Sequence, residues 1–294
     1  MRVTTIMMND EAVALNTKNL ERLARTQSQI ASGKRVQAPH DDPVAAGTAL
    51  TLQSSLAANE TYLQNVATAK EWLNAAEASL NGVVGVLRQA LNDARQGASD
   101  TMGAEERATL GQHVDGLIAD ALSQLNARHR DSYLFAGFKT ATQPFAPSGS
   151  PIASVAYNGD SGTRLIEIEP GQTLAANVTG GAPTAAVFDV LITLRDNLNA
   201  NNTAAVSGSI ASVQSALDGM LDSLADVGAR GQRLGDTSLR LDKVQAGLRE
   251  LLSRTEDTDM AGAITQLNQQ QMVYQASLQT SARISQSNLF DFLK

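Results

Sequence analysis

Residues Tyr62 to Ala90 read YLQNVATAKEWLNAAEASLNGVVGVLRQA, and their apolar spacing decides the fold. Val66, Leu73, Leu80 and Leu87 recur every seven residues, and Tyr62, Ala69, Ala76, Val83 and Ala90 recur at the same step beside them. Two interleaved seven-residue repeats form one narrow apolar seam on a long helix, the pattern of a coiled-coil surface. The proline-free stretch extends this helix from Pro43 to about Arg95. Roughly fifty residues of helix measure about 75 Å at about 1.5 Å per residue, more than a compact domain needs.

Outward from this stretch the same grammar repeats. Gly97 to Gly103 breaks the helix, and Leu110, Val114, Leu117, Ala121 and Leu125 begin a second one, with Glu105 and Glu106 at its positive end. The pattern stops at Asp131. A helix over Ala186 to Asn199 follows later, breaks at Asn201-Asn202 and resumes from Thr203 to the end of the chain. Val213, Leu217, Met220, Leu221 and Leu224, then Leu234, Leu241 and Leu248, form its return seam. Gly228, Gly231 and Gly235 each cost about 1 kcal/mol there against Ala, leaving a kink open.

Between Tyr133 and Pro183 the period vanishes and five prolines appear. Tyr133 to Phe135, Ile152 to Tyr157, Leu165 to Ile168 and Leu174 to Val178 read as short strands, with Asn158-Gly159 as a hairpin turn. The reading is thus mainly α with an inserted small β domain. Its parts are a terminal helical assembly region (1-42 and 255-294), a long antiparallel helical rod (43-132 and 184-254) and a β-rich outer head (133-183).

The N-terminal stretch carries Met8, Ala12, Leu15, Leu23 and Ile30 on one stripe, and Gly33 stands where a helix stops. Asp41 or Asp42 caps the next helix, with Pro43 at its first position. At the other end Ile264, Leu267, Tyr274 and Leu278 form the last stripe, and Leu289, Phe290 and Phe292 close the chain. A lone helix with so narrow a seam buries too little, at roughly 25 cal/mol per Å², to offset backbone ordering of about 1 to 2 kcal/mol per residue. Both ends therefore read as coiled-coil assembly segments ordered by neighbouring subunits. The acidic run Glu256-Asp257-Thr258-Asp259 is either a solvated face or a partner for basic groups of a neighbour, with Arg22, Arg25, Lys34 and Arg35 as candidates.

Composition narrows the function. Only 4% of residues are aromatic, and 23 Lys plus Arg stand against 30 Asp plus Glu for a net charge of -7, a balance that disfavours nucleic acid. Zero cysteines exclude thiolate chemistry, disulfides and iron-sulfur ligation. His40, His113 and His129 do not converge: the last two lie about 24 Å apart along a continuous helix at about 1.5 Å per residue. Ser32-Gly33-Lys34 lacks the upstream glycine and strand of a phosphate loop. The sequons at Asn59, Asn177 and Asn201 matter only behind a secretory signal, and the N-terminus carries none. No catalytic, metal or cofactor site is expected.

The motifs, in order, resemble those of the bacterial flagellin superfamily, and more closely its hook-filament junction branch. They are Leu15-Asn16-Thr17, then Ile30-Ala31-Ser32-Gly33-Lys34-Arg35-Val36, Asp41-Asp42-Pro43-Val44-Ala45-Ala46 and Val227-Gly228-Ala229-Arg230. Asp257-Thr258-Asp259-Met260-Ala261, Gln269-Gln270-Gln271, Tyr274-Gln275-Ala276-Ser277 and the close Ser287 to Leu293 follow. Tyr133-Leu134-Phe135-Ala136-Gly137 is similar to the family's entry into its outer domain. Flagellins proper usually read Asp-Asp-Ala-Ala-Gly at the early motif and lack the Phe-rich close.

The resemblance implies a structural subunit of the flagellum that joins the hook side to the filament, with flagellin itself as the alternative. It implies a homo-oligomeric ring, contacts with a FlgK-like hook-side junction protein and with flagellin, and a cytosolic FlgN-like export chaperone. It also implies an extracellular location reached by type III export without a cleavable signal peptide.

Overall fold

In the computed structural model the backbone is described for residues 5–292, and side chains for these residues except 5, 6, 9, 182 and 284–292. Among the described residues there are six helices: α1 (Thr5–Ser32), α2 (Pro43–Gly97), α3 (Ala104–Leu125), α4 (Ala182–Asn199), α5 (Thr203–Glu256) and α6 (Met260–Phe292). Six short strands lie between α3 and α4: β1 (Arg128–His129), β2 (Ser132–Tyr133), β3 (Phe145–Ser148), β4 (Ser154–Tyr157), β5 (Leu165–Glu169) and β6 (Gln172–Ala175). They pair as three separate antiparallel hairpins, β1 with β2, β3 with β4 and β5 with β6. The chain divides into two compact units, residues 59–243 and a terminal unit of residues 1–58 with 244–294.

The unit of residues 59–243 holds the core. Leu73, Leu80 and Leu87 with Ala69, Ala76, Val83 and Ala90 from α2 are fully enclosed, as the seven-residue repeat requires. They share one apolar cluster with Val114, Leu117, Ile118, Ala121 and Leu125 of α3, Leu191, Leu194 and Leu198 of α4, and Val213, Met220, Leu234 and Leu241 of α5. The buried Asn59 donates from Nδ2 to the Leu241 carbonyl at 3.1 Å, tying α2 to α5. Phe145 lies between Tyr157 and Phe188, with ring centroids 5.2 and 5.3 Å away, and joins the strands to α4.

Two buried arginines organise the connections. Arg107 donates to the carbonyls of Gly97 (2.8 Å) and Ser99 (2.7 Å) and to Asn201 Oδ1 (2.5 Å), so one guanidinium closes the α2–α3 turn and holds the α4–α5 turn. Asn201 there has φ +52°, and the following Asn202 caps α5 through Oδ1 to the Ala205 N–H. Arg195 reaches Asp115 Oδ1 (2.9 Å) and the Ile152 carbonyl (2.6 Å), fastening the strands to α3 and α4.

Three expectations are corrected. Asn158-Gly159 is not a hairpin turn: β4 pairs backward with β3 across residues 149–153, and the Asn158 N–H donates to the Pro144 carbonyl. The strand β3 contains Pro147, which weakened its strand signal, yet it pairs only on one side, where a proline is tolerated. The helix from Thr203 does not reach the chain end, because Asp257 to Asp259 leaves the helical path before α6. α5 itself passes through Gly228, Gly231 and Gly235 without interruption, and α3 ends at Leu125, short of the expected Asp131.

Candidate assembly site at the terminal helices

Within the terminal unit two connections, residues 33–42 and 257–259, are stitched together. Gly33 ends α1 in the left-handed region at φ +72°, a conformation that a Cβ would strain. Its carbonyl accepts from the Thr258 N–H at 2.9 Å, and the Glu256 carbonyl accepts from the Arg35 N–H at 2.6 Å, an antiparallel bridge of Lys34 with Asp257. Lys34 Nζ meets Glu256 Oε1 at 2.8 Å, and Arg35 donates to the Thr255 carbonyl and to Asp42 Oδ2. Basic residues expected to meet acids of a neighbour are thus engaged within the chain at Lys34 and Arg35. This pairing accompanies the helix break: the Asp257 N–H still donates to the Ser253 carbonyl, but the Thr258 N–H turns to the Gly33 carbonyl and the Glu256 carbonyl accepts from the Arg35 N–H, and Asp259 Oδ1 then accepts from the Ala261 N–H to start α6.

The two aspartates divide their labour. Asp42 Oδ1 accepts from the Ala45 N–H at 3.0 Å and caps α2 before Pro43, while Asp41 Oδ2 accepts from the N–H groups of Gln37 and Ala38 and closes the turn in front. These backbone donors hold both carboxyls below their ordinary value, helped at Asp42 by Arg35. A lowered folded value stabilises the fold fully above the unfolded carboxylate value near 3.9 and is lost as pH falls through the folded value. Asp41→Asn and Asp42→Asn should therefore lower the Tm at neutral pH, and the difference from the parent chain should shrink on acidification. Thermal unfolding followed by helical circular dichroism checks this; a difference that stays constant into acid would contradict it.

α1 and α6 pack against each other, with Asn16 Nδ2 donating to Ser281 Oγ at 2.9 Å. Much of their apolar surface stays in solvent. Leu15 is 53% exposed, Ile264 47% and Leu278 44%. Leu23, Ile30, Leu267 and Tyr274 are half-buried, and the side chains of Leu289, Phe290 and Phe292 lie outside the described residues. Met7, Val13, Leu20, Met272 and Val273 are also exposed, and a single-stripe reading of the sequence missed them. The signal was the apolar residues lying off the stripe.

The contrast with the other unit is sharp. All large apolar side chains left exposed among the described residues belong to the terminal unit, except Phe138, Leu165 and Leu239. Conversely, among the described residues the apolar core cluster contains none of the terminal unit. Each such Leu or Ile is worth about 1.5 to 3 kcal/mol if fully buried, so this surface is suited to a protein partner.

Between α1 and α6 runs a groove of about 630 Å³ at its wider end, lined there by Arg22, Arg25, Gln29, Arg35, Asp259 and Gln270. Toward the chain ends the same seam continues past Asn19 and Val273 to an apolar stretch of Met8, Leu15 and Thr280, with Glu11 at its side. The histidines lie apart: His113 Nδ1 is 2.6 Å from Asp93, His129 Nε2 3.7 Å from Glu71 and His40 3.7 Å from Asp41. Among the described residues no three His, Cys, Asp or Glu side chains group to hold a metal ion. No described helix is long and apolar enough to cross a membrane.

Residues 3–140 match the bacterial flagellin N-terminal helical region and residues 210–293 the bacterial flagellin C-terminal helical region. The flagellar hook-associated protein 3 of Salmonella typhimurium is 25% identical, with 99% of each chain covered. That of Escherichia coli is 26% identical over 92% of this chain and 81% of its own. The fold is similar to that of the flagellar junction protein FlgL from Legionella pneumophila, with a TM-score of 0.60 and 17% identity over 73% of this chain and 100% of the other. With both helical regions present in order and the terminal helices paired as described, the chain belongs to the bacterial flagellin superfamily.

Proposed function

We propose that this chain is a structural subunit of the bacterial flagellum, standing at the junction between the hook and the flagellin filament. The observation that carries this reading is the likeness to hook-associated protein 3 along nearly the whole chain, with both termini included. The exposed apolar faces of α1 and α6 support it, since subunits that assemble through their ends leave those ends uncovered when alone. The subunit forms a homo-oligomeric ring, meets a FlgK-like protein on the hook side and flagellin on the other, and carries no catalytic chemistry. It leaves the cell through the flagellar export route without a cleavable signal peptide, and a FlgN-like chaperone covers the apolar C-terminal helix beforehand.

Deleting the gene in its own host tests the reading. Hooks should persist, filaments should be absent, and flagellin should accumulate in the medium.

A further inference from the structure

Asn158-Gly159 lies just past the end of β4, and the pairing of β4 with β3 leaves it without the hairpin turn that its composition suggests. Among the asparagines of the chain only Asn81 and Asn158 precede glycine. Such a pair carries a chemistry of its own. The side-chain amide carbon of asparagine and the backbone nitrogen of the next residue are placed to close an imide ring, and glycine, lacking a Cβ, leaves that nitrogen open to approach.

The fold treats the two sites differently. Asn81 is exposed but lies inside α2, where the helix fixes its backbone and engages the Gly82 N–H with a carbonyl one turn back. Ring closure there has to wait for local opening of a helix whose adjacent Leu80 and Val83 are fully enclosed. Asn158 is exposed in non-helical chain, and neither its side-chain amide nor the Gly159 N–H has a hydrogen-bond partner among the described residues. The amides on either side are engaged: the Asn158 N–H donates to the Pro144 carbonyl at 2.8 Å and the Asp160 N–H to the Ala136 carbonyl at 3.2 Å. Packing also holds the glycine in place. A Cβ at Gly159 would meet the Tyr157 ring, whose hydroxyl lies 2.9 Å from the carbonyls of both Phe135 and Asp160. The residue that makes Asn158 reactive is therefore one that the fold requires.

We infer that Asn158 is a site of spontaneous deamidation in the folded protein. Base removes the Gly159 amide proton, the nitrogen attacks Asn158 Cγ, and the bond from Cγ to the side-chain nitrogen breaks with release of ammonia. Water then opens the cyclic imide at either carbonyl, leaving aspartate or an isoaspartyl linkage with no change in oxidation state. Either product adds a negative charge close to Asp160, whose Oδ1 accepts from the Phe138 and Gly162 N–H groups. The isoaspartyl form also inserts a methylene into the backbone between the engaged N–H groups of residues 158 and 160. This chemistry is independent of the assembly role.

Trypsin separates the two sites, because residues 140–164 carry Asn158 with no other asparagine, while residues 71–88 carry Asn81 with Asn74, which precedes alanine. The full chain is held in warm, mildly alkaline buffer, and the amide-to-acid mass gain of each peptide is followed over weeks, with fragment spectra assigning the residue. In native buffer Asn158 should convert faster than Asn81 by about tenfold or more, a barrier difference of at least about 1.4 kcal/mol. In denaturant, where α2 is lost, the two should convert at similar rates. Asn158→Gln should leave the 140–164 peptide unconverted, and a protein isoaspartyl methyltransferase should label that peptide only in aged parent chain. Equal rates at the two sites in native buffer, or an Asn158 that converts in denaturant but persists in the folded chain, would overturn the inference.

Discussion

Leu80→Ala should lower the unfolding free energy of the monomer by about 2 to 5 kcal/mol, the range for truncating an enclosed leucine. Leu15→Ala or Ile264→Ala should change it by no more than about 0.5 kcal/mol and should instead remove assembly. Leu80 is fully buried on α2, and its loss leaves a cavity among helices that cannot collapse independently. Leu15 and Ile264 are about half in solvent on α1 and α6, so their methyl groups contribute little until a partner covers them. Denaturant unfolding of the isolated chain measures the first effect, and filament attachment in a complemented deletion strain measures the second. A monomer destabilised equally by all three changes would mean that the terminal face is ordinary core. Retained attachment with Leu15→Ala and Ile264→Ala combined would mean that the face is not used.

Removal of residues 1–32 should have the largest effect on assembly and a small one on the core. Among the described residues the apolar cluster of the 59–243 unit takes nothing from α1, so its cooperative unfolding should persist at an unchanged denaturant midpoint. α6, by contrast, loses the helix it packs on, and its amides should exchange rapidly, since a helix without tertiary packing is marginal in water. The truncated chain should restore no filaments. Loss of the core transition on truncation, or retained filaments, would each contradict this division between a self-sufficient core unit and a terminal unit specialised for assembly.

What the sequence made legible followed from local rules. The seam of Val66, Leu73, Leu80 and Leu87 is buried because a seven-residue repeat leaves a helix one face to hide. Gly33 and Asp42 stop and start helices where their backbone and side-chain chemistry demands. The misses share a different cause, since each depends on a partner distant in sequence. Arg107 and Arg195 look like surface charges until Gly97, Asn201, Asp115 and Ile152 come together around them. Asp257-Thr258-Asp259 has neither proline nor glycine, and its break accompanies the pairing with Gly33 and Arg35 across the unit. Asn158-Gly159 has the composition of a tight turn, but β4 finds its partner on the other side, in a strand that Pro147 disguised.

At the candidate assembly site, spacing singles out Leu15, Leu23, Ile264 and Leu278, which lie exposed or half-buried on α1 and α6, and it does not disclose the groove beside them. A helical stripe says which residues seek cover. It does not say which second helix supplies part of that cover and which part remains open, and that depended on α1 and α6 meeting.

The most direct test of the central claim is the amount of flagellin in the spent medium of a strain lacking this gene, compared with its parent and with a complemented strain. A junction subunit predicts abundant flagellin in the medium, hooks without filaments on the cells, and recovery of both on complementation. Normal filaments with little free flagellin would contradict the claim, and the loss of the major flagellin from cells and medium together would mean that this chain is the filament subunit itself.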